Sequence, residues 1–398
     1  MQRTLFVFVT AAILAIWSGF SGEGFSAPPE TWIRIGAANP LSGSGAMWGL
    51  PSSRGVELMG EYMNDKGGLR VGDRIYKFKV FLADNKYSAE GGKSAYEKLL
   101  SVDNCQIMVG DFAAAPVAIM SRLSTEKKIL CLFGSTGSAT LSPEFPYVFR
   151  FSQSQGQKLD TLKVARETCP IKTIYMTYTD DQRGHDTIKE WKKAVMPLGI
   201  KIVGESYYHP RETNFAPVMT KILAEKPDLI PAGSPGQAAL MMKEAHALGY
   251  RGYWVSSGSV VNLPEMIKIA GSKEAVENWI GPYESLDCPI VKEADKPALL
   301  DIQQRYLKKY GPPFEPLAWR YSCGMQILAQ AIRQSGGADP DALKKTLEAG
   351  TFETFFGSGK FTGQQTYGIA HQFGVTTVAV IIKNGEPKYL GYLKTEEP

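Results

Sequence analysis

The chain has 398 residues, of which 44% are hydrophobic and 21% are charged, with 44 Lys and Arg against 40 Asp and Glu. This length predicts two or three domains, and the apolar content excludes a globally disordered chain. The net charge of +4 is spread along the sequence without a run of five basic residues. A nucleic-acid groove and a nucleic-acid partner are therefore not expected.

The first 27 residues have the pattern of an export signal. Arg3 precedes an apolar run from Leu5 to Trp17, and small residues lead up to Ala27. The run is too short to cross a bilayer as a helix, which needs roughly 20 apolar residues. We therefore expect residues 1–27 to be a cleaved signal peptide that sends the mature chain out of the cytoplasm, and the family resemblance described below places it in the periplasm. A buried N-terminal helix is the alternative.

Short apolar runs then alternate with helical patterns, which predicts parallel strands covered by helices. The first series has predicted strands at 33–38, 77–83, 107–110 and 129–133 and helices at 52–66, 88–101 and 116–127. A proline-punctuated connection at 142–146 leads into a second series. Its predicted strands are 173–178, 201–204, 229–232 and 253–256, and its helices are 156–167, 185–197, 214–225, 237–248 and 262–270. The tail has predicted helices at 296–310, 319–335 and 340–350 and extended segments at 375–383 and 389–393. The fold class is therefore α/β, with two βα lobes of similar size.

The spacing of glycine, histidine and cysteine argues against a cofactor or a metal. The run from Gly43 to Gly49 is one residue longer than a dinucleotide fingerprint, so we expect backbone N–H groups at a helix start instead. The four histidines are far apart in the chain, which does not suit a metal site. The five cysteines form no CxxC pair, and most are expected to be buried as small apolar residues.

A hydroxyl-rich segment follows the predicted strand 129–133. Open α/β sheets bind ligands at the carboxyl ends of their strands, where Gly134–Ser138 lies. Hydroxyl and backbone N–H groups can hold a carboxylate without a formal positive charge. The segment therefore predicts an anion-binding loop, with a plain turn as the alternative. No GxSxG elbow occurs, but a Ser-dependent hydrolase stays open.

Residues 33–43 (IRIGAANPLSG), followed by Trp48 and Gly49, are similar to the opening of the leucine/isoleucine/valine-binding family of periplasmic proteins. These proteins are the solute receptors of ABC importers. Further matches follow in order at 61–69, 83–84, 109–110, 135–136, Tyr321 and 357–361. The resemblance covers the chain from about residue 31 to its C-terminus.

The resemblance implies a type I periplasmic binding protein fold, in which two lobes joined by crossover hinge strands close on a solute like a Venus flytrap. We expect an N-terminal lobe of 31–148 plus 283–368 and a C-terminal lobe of 149–282 plus 369–398. It also implies a monomeric transport protein without enzymatic activity or cofactor, whose partners are a small solute and a membrane permease.

The family's ligand positions transfer residue by residue. In the first lobe they fall on Ser42, Trp48, Phe112, Ala113, Ala114, Ser135 and Thr136. Since 112–115 lacks the serine that the family often has there, only backbone N–H groups remain at that loop. In the second lobe the expected residues are Arg183, Ser234, Ser257, Gly258 and Tyr283.

Two departures from the family pattern concern the ligand class. Arg183 replaces a common aromatic residue, and residues 256–259 offer hydroxyls where an acid often pairs with the ligand ammonium. An ammonium buried without a counter-charge costs several kcal/mol. Either Asp180, Asp181 or Glu284 therefore substitutes, or the ligand has no α-amino group. The sequence predicts a receptor for a small carboxylate, either an apolar or branched-chain amino acid or a related organic or aromatic acid. The alternatives are a secreted Ser-dependent hydrolase and a receptor for a neutral urea- or amide-like solute.

Overall fold

A computed structural model describes residues 30–135, 140–151, 155–233, 235–256 and 262–394. The predicted signal peptide lies outside the described residues. Within them, no helix is both long enough and apolar enough to span a membrane.

Strands and helices alternate along most of the described chain. The strands are β1 (Glu30–Asn39), β2 (Leu69–Val71), β3 (Arg74–Asp84), β4 (Ile107–Val109), β5 (Leu130–Phe133), β6 (Val148–Arg150), β7 (Thr173–Thr179), β8 (Lys201–Tyr208), β9 (Leu229–Ala232), β10 (Tyr253–Ser256), β11 (Trp279–Pro282), β12 (Thr351–Thr354), β13 (Gly357–Thr362), β14 (Gln372–Lys383) and β15 (Glu386–Lys394). The helices are α1 (Ala46–Asp65), α2 (Ala89–Glu97), α3 (Ala114–Lys127), α4 (Gln155–Thr168), α5 (Gln182–Val195), α6 (Ala216–Ala224), α7 (Pro235–Ala247), α8 (Leu263–Ala270), α9 (Lys296–Tyr310), α10 (Leu317–Ser335), α11 (Pro340–Ala349) and α12 (Gln364–Tyr367).

The strands form two groups that share β14. The first group runs β2-β3-β1-β4-β5-β6 and is parallel except for β2, while the second runs β11-β10-β9-β7-β8 and is parallel throughout. β14 is parallel to β6 at one end and antiparallel to β11 at the other. The mostly parallel α/β architecture predicted from the sequence is confirmed.

Alternate residues of the central strands enter cores on opposite faces of the sheet. On β5, Leu130 and Leu132 join a core with α1, α9 and α10, whereas Cys131 and Phe133 join the core beneath α2 and α3. A strand that is apolar on both faces needs helices on both sides, as in other parallel sheets. This arrangement explains why the sequence of β5 is a continuous apolar run.

The chain connects the two groups through β14 and through the segments after β6 and β11. After β6 it enters α4, which packs on β15 and β11, and after β11 it reaches α9, which packs on α1. The first residues of β14, Gln372–Val375, pair with β13, and those from Thr376 onward pair with β15. The predicted boundary between residues 368 and 369 lies just before this strand. The assignment of whole lobes remains a proposal.

Two differences from the predicted elements have physical causes. α1 begins at Ala46 rather than at residue 52 and contains Pro51. Proline disfavours a helix interior, but packing of α1 on β3, α9 and α10 outweighs that local penalty. The strands β2, β6, β11, β12 and β13 were not predicted. The first four have only three or four residues, and β13 contains two glycines, which are depleted in strands. The five cysteines are free and buried.

Candidate functional site

The candidate site lies where the parallel strands of the first group end. Asn39 and Asp84 close β1 and β3, and Gly110 and Gly134 follow β4 and β5. The carboxyl ends of neighbouring parallel strands meet at one edge of a sheet, where open α/β proteins bind ligands. This edge brings together the loops that carry the predicted residues of the first lobe.

The loop after β1 is held by Asp84. The Ser42 hydroxyl donates to Asp84 Oδ2 at 2.6 Å, and the Leu41 N–H donates to Oδ1 at 2.9 Å. Partial burial raises the pKa of Asp84, but the hydrogen bonds from Ser42, Lys86 N and Leu41 N outweigh it and keep the pKa below its ordinary value. Ser42 itself is exposed at this edge.

Three aromatic rings lie close together at the same edge of the sheet. Trp48, on the first turn of α1, meets Phe112 edge to face with 6.5 Å between ring centroids. Tyr87 is a second aromatic neighbour of Phe112, with 6.0 Å between ring centroids. Trp48 and Phe112 were predicted from the sequence as site residues, and Tyr87 was not. The available signal is that Tyr87 closely follows β3, at the strand end where open α/β proteins bind ligands.

Asp111 is a buried carboxylate beneath the loop after β4. It is 1% exposed and accepts hydrogen bonds from Ala113 N at 3.0 Å, from Asn85 Nδ2 at 3.3 Å and from the Tyr96 hydroxyl. Its carbonyl oxygen accepts from Gly134 N at 2.8 Å. Burial raises the pKa of Asp111 to about 7, although these hydrogen bonds lower it. Through its carboxylate and its backbone carbonyl, Asp111 thus joins the loops after β3, β4 and β5.

The loop after β4 leads directly into α3. Ala113 is buried at the N-cap, Ala114 is the exposed first residue, and no side chain caps this end among the described residues. The first N–H groups of a helix have no partner within it, and Pro116 has none to offer. The backbone of Ala114 and Ala115 therefore presents N–H groups at the helix start, as expected for this loop.

The loop after β5 is described only through Ser135. This residue is fully buried, and its hydroxyl lies 3.1 Å from Thr140 Oγ1. Tyr321 donates to the neighbouring Gly134 carbonyl at 3.4 Å, so α10 supports the loop from behind. Thr136 lies outside the described residues.

In the second group, the acids offered by the sequence are already engaged. Glu284, which is 4% exposed, accepts from Arg320 Nε at 2.9 Å and forms a second ion-pair contact with the same guanidinium. Burial raises the pKa of Glu284, and the Arg320 charge opposes that rise. Asp181 caps α5 by accepting from Gly184 N at 2.8 Å. Asp180 is exposed and lies 2.9 Å from His185 Nε2.

The other predicted residues of the second lobe are only partly described. Tyr283 is half-buried after β11, and its N–H donates to the Val378 carbonyl at 3.2 Å. Arg183 lies on α5, but its side chain is outside the description, as are Ser234, Ser257 and Gly258. The predicted residues of the first lobe that the structure describes lie on neighbouring loops at one edge of the sheet and are termed the first-lobe wall: Ser42, Trp48, Phe112, Ala113, Ala114 and Ser135. Most of the predicted residues of the second lobe lie outside the described residues.

Two hydrogen bonds join the residue before α8 to the segment before α10. Asn262 precedes α8, and its Nδ2 donates at 3.3 Å to the Phe314 carbonyl and at 3.3 Å to Glu315 Oε2, just before α10. Burial raises the pKa of Glu315, and the Asn262 hydrogen bond lowers it. The segments that precede α8 and α10 are thus in contact.

Two other features of the described residues bear on the site. No group of three or more His, Cys, Asp or Glu side chains in this part of the chain could hold a metal ion. A concavity of about 450 Å³ lies at the amino ends of β9 and β10, beside Asp228 and Tyr250. Asp228 Oδ2 accepts from Lys172 N at 2.8 Å and from Thr173 N at 2.9 Å. That concavity lies at the opposite strand ends from the candidate site.

Comparisons by sequence match almost the whole chain. A family model described as periplasmic binding protein matches residues 32–385. The Leu/Ile/Val-binding protein homolog 7 of Brucella melitensis is 23% identical over 364 residues, which cover 88% of this chain and 86% of the relative. Homolog 1 of Brucella abortus is 24% identical over 372 residues, which cover 90% of this chain and 91% of the relative.

Comparisons by structure find the same fold in solute-binding proteins. LivJ of Streptococcus pneumoniae, in complex with isoleucine, has a TM-score of 0.73 at 18% identity and covers 92% of this chain and 100% of its own. A Rhodopseudomonas palustris solute-binding protein in complex with benzoate has a TM-score of 0.72 at 19% identity, covering 92% and 97%. Another, from R. palustris HaA2 with p-hydroxybenzoic acid, has a TM-score of 0.73 at 19% identity, covering 92% and 98%.

Proposed function

Because the chain belongs to the periplasmic binding protein family, as residues 33–43 predicted, we propose that it is the receptor of an ABC importer for a small apolar or aromatic carboxylate. Members of this family bind solutes, so the chain is a binding protein rather than an enzyme. In this proposal the mature chain works in the periplasm after removal of residues 1–27, and its partner is a membrane permease that reads the closed, solute-loaded state.

The proposal that the ligand is an acid without an amino group rests on the carboxylates of the second group. Glu284 is neutralised by Arg320, Asp181 is used as a helix cap, and Asp180 is exposed beside His185. The segments 136–139, 152–154 and 257–261 contain no acidic residue. None of these positions offers a buried, unpaired carboxylate to a ligand ammonium, whose burial without one costs several kcal/mol.

The first-lobe wall suits a carboxylate attached to an apolar body. The N–H groups of Ala114 and Ala115 at the start of α3, together with Ser135, are the proposed anchor for the carboxylate. Trp48 and Phe112 supply the apolar surface beside it. Structures of this fold hold isoleucine in one protein and benzoate in another, and both ligands are small carboxylates. The amino group is what separates the two ligand classes.

A thermal-shift panel tests the ligand class. It compares 3-phenylpropionate with phenylalanine and 4-methylpentanoate with leucine, and it includes benzoate and urea. A ligand at 100 times its Kd adds about 2.7 kcal/mol to the stability. We expect a rise in Tm of several degrees with the acids and smaller rises with the amino acids. Larger shifts with the amino acids would return the site to amino-acid uptake, and a shift with urea alone would reject the carboxylate anchor.

The matched control for this panel is a pair of variants at Ala114. Ala114→Asp places an acid on the first turn of α3, which suits the helix but repels a ligand carboxylate. Ala114→Ser changes the same exposed position without a charge. The shift should disappear in the first variant and persist in the second. Equal shifts in both would place the anchor elsewhere.

A further inference from the structure

Tyr87 lies in a turn with an unusual backbone. Lys86 has φ 51° and Tyr87 has φ 56°, so two successive residues other than glycine adopt the left-handed conformation. Such residues are uncommon, and each costs free energy that the surrounding structure must supply. Glycine or asparagine is the ordinary choice at such positions. The choice of a bulky aromatic residue here therefore needs another reason.

The strained turn is held by side chains that are themselves fixed. Lys86 N donates to Asp84 Oδ1 at 2.9 Å, and Tyr87 N donates to Asn85 Oδ1 at 2.9 Å. Asn85 is fully buried, and its Nδ2 donates to the Ala38 carbonyl at 2.9 Å and to Asp111 Oδ1 at 3.3 Å. The turn is thus fastened to β1 and to the loop after β4, and its geometry is fixed before any ligand arrives.

The turn places the Tyr87 ring at the candidate site instead of in a core. The side chain remains 41% exposed, although its ring lies 6.0 Å from that of Phe112. A Cβ on Gly45 would lie 3.2 Å from Tyr87 Cδ2, so the ring also borders the loop after β1. A strained backbone that leaves an aromatic ring exposed is a poor way to gain stability. The same arrangement keeps the aromatic ring in a fixed position where a ligand could contact it.

We propose that Tyr87 is a specificity-determining residue of the solute site. Its ring and that of Phe112 form the surface on which an aromatic ligand body packs, by the offset or edge-to-face contacts that aromatic pairs prefer. The inference rests on the proposed function and adds to it a preference for aromatic over aliphatic acids. Trp48, which meets Phe112 edge to face, adds a third ring next to this surface.

Titration calorimetry on three variants tests this role, with 3-phenylpropionate and 4-methylpentanoate as the probes. Tyr87→Asn removes the ring and places at this position a residue that tolerates the left-handed backbone, so its Tm should equal or exceed that of the wild type. We expect its affinity for 3-phenylpropionate to fall about three- to tenfold, and that for 4-methylpentanoate less than about twofold. Tyr87→Phe should keep the wild-type preference. Tyr389→Ala, an exposed ring on β15, is the control and should change neither affinity.

The outcomes separate this inference from the proposed function. If Tyr87→Asn binds both acids as the wild type does, or loses both equally, Tyr87 does not determine specificity. If the wild type binds phenylalanine and leucine instead of the two acids, the proposed ligand class is wrong. The ratio of the affinities for phenylalanine and leucine, compared between the wild type and Tyr87→Asn, then still decides whether Tyr87 determines specificity. Failure of the wild type to bind any of the four compounds overturns both proposals.

Discussion

At the scale of the residue, Asp111 shows how one buried group organises several loops. It sits among groups from three other elements, namely Tyr96 on α2, Cys131 on β5 and Tyr321 on α10. Burial raises the pKa of all three, so they stay neutral near pH 7. No cation is among the groups that shift the pKa of Asp111 within the described chain, and desolvation dominates.

This environment predicts a pH-dependent stability. The pKa of Asp111 is about 7 in the folded chain, against about 3.9 in an unfolded one. The folded state therefore holds the proton more tightly, and the stability that this contributes is lost as the pH rises towards 7. Relative to Asp111→Asn, the wild type should lose about 2–3 kcal/mol of unfolding free energy between pH 5 and pH 8. Urea unfolding of both proteins at pH 5 and pH 8 measures this loss of stability. An equal change in unfolding free energy with pH in the two proteins would contradict the prediction.

At the scale of the element, α1 starts in very close contact with the preceding loop. A Cβ on Gly49 would lie 1.9 Å from the Pro40 carbonyl oxygen, so only glycine fits between the helix and the end of β1. This contact sets the position of the first turn, which carries Trp48. The periodicity of the sequence suggests a helix that begins at residue 52, and in such a helix this turn with Trp48 would be missing.

Gly49→Ala should therefore destabilise the protein, although alanine is the better helix former. Overpacking of a tight site costs about 1–3 kcal/mol, and the displaced turn should weaken solute binding as well. Gly236→Ala is the matched control, since Gly236 is in α7 and, apart from its own helix and chain neighbours, no atom of the described residues lies within 4 Å of the added Cβ. The control should be neutral or stabilising by up to about 1 kcal/mol in urea unfolding. Similar losses in both variants would show that the close approach to Pro40 is not the cause.

At the scale of the whole molecule, β14 and the contact at Asn262 connect the two groups of strands. We expect the groups to close on a bound solute, as in other hinged binding proteins. X-ray scattering should show a smaller radius of gyration with saturating ligand than without. An unchanged radius with a tightly bound ligand would reject hinge closure.

The contact of Asn262 with Phe314 and Glu315 should favour the closed state. Asn262→Ser keeps a capping oxygen for α8 but removes the Nδ2 donor to Phe314 and Glu315. A hydrogen bond of this kind contributes about 0.5–1.5 kcal/mol, so affinity should fall about two- to tenfold at unchanged Tm. An affinity equal to that of the wild type would show that the contact plays no part in closure.

The fold class, most of the helices and long strands, and the family could be predicted from the amino-acid sequence alone. These features depend on local periodicity and on short segments such as 33–43, which are visible in a single chain. The sequence also placed Trp48 and Phe112, which the structure brings into contact. Which of the predicted residues touch the solute stays a prediction.

The pairing of side chains that are distant in the sequence could be seen only in the folded chain. Glu284 was a candidate partner for a ligand ammonium until the fold placed Arg320 against it, 36 residues later in the chain. Asp111 acquires its role from Asn85 and Tyr96, which reach it from other loops and helices. Tyr87 could be recognised as a candidate site residue only from its left-handed backbone and its contact with Phe112. The physical reason is that burial and charge pairing depend on which strand ends meet in space, and local residue patterns do not encode that.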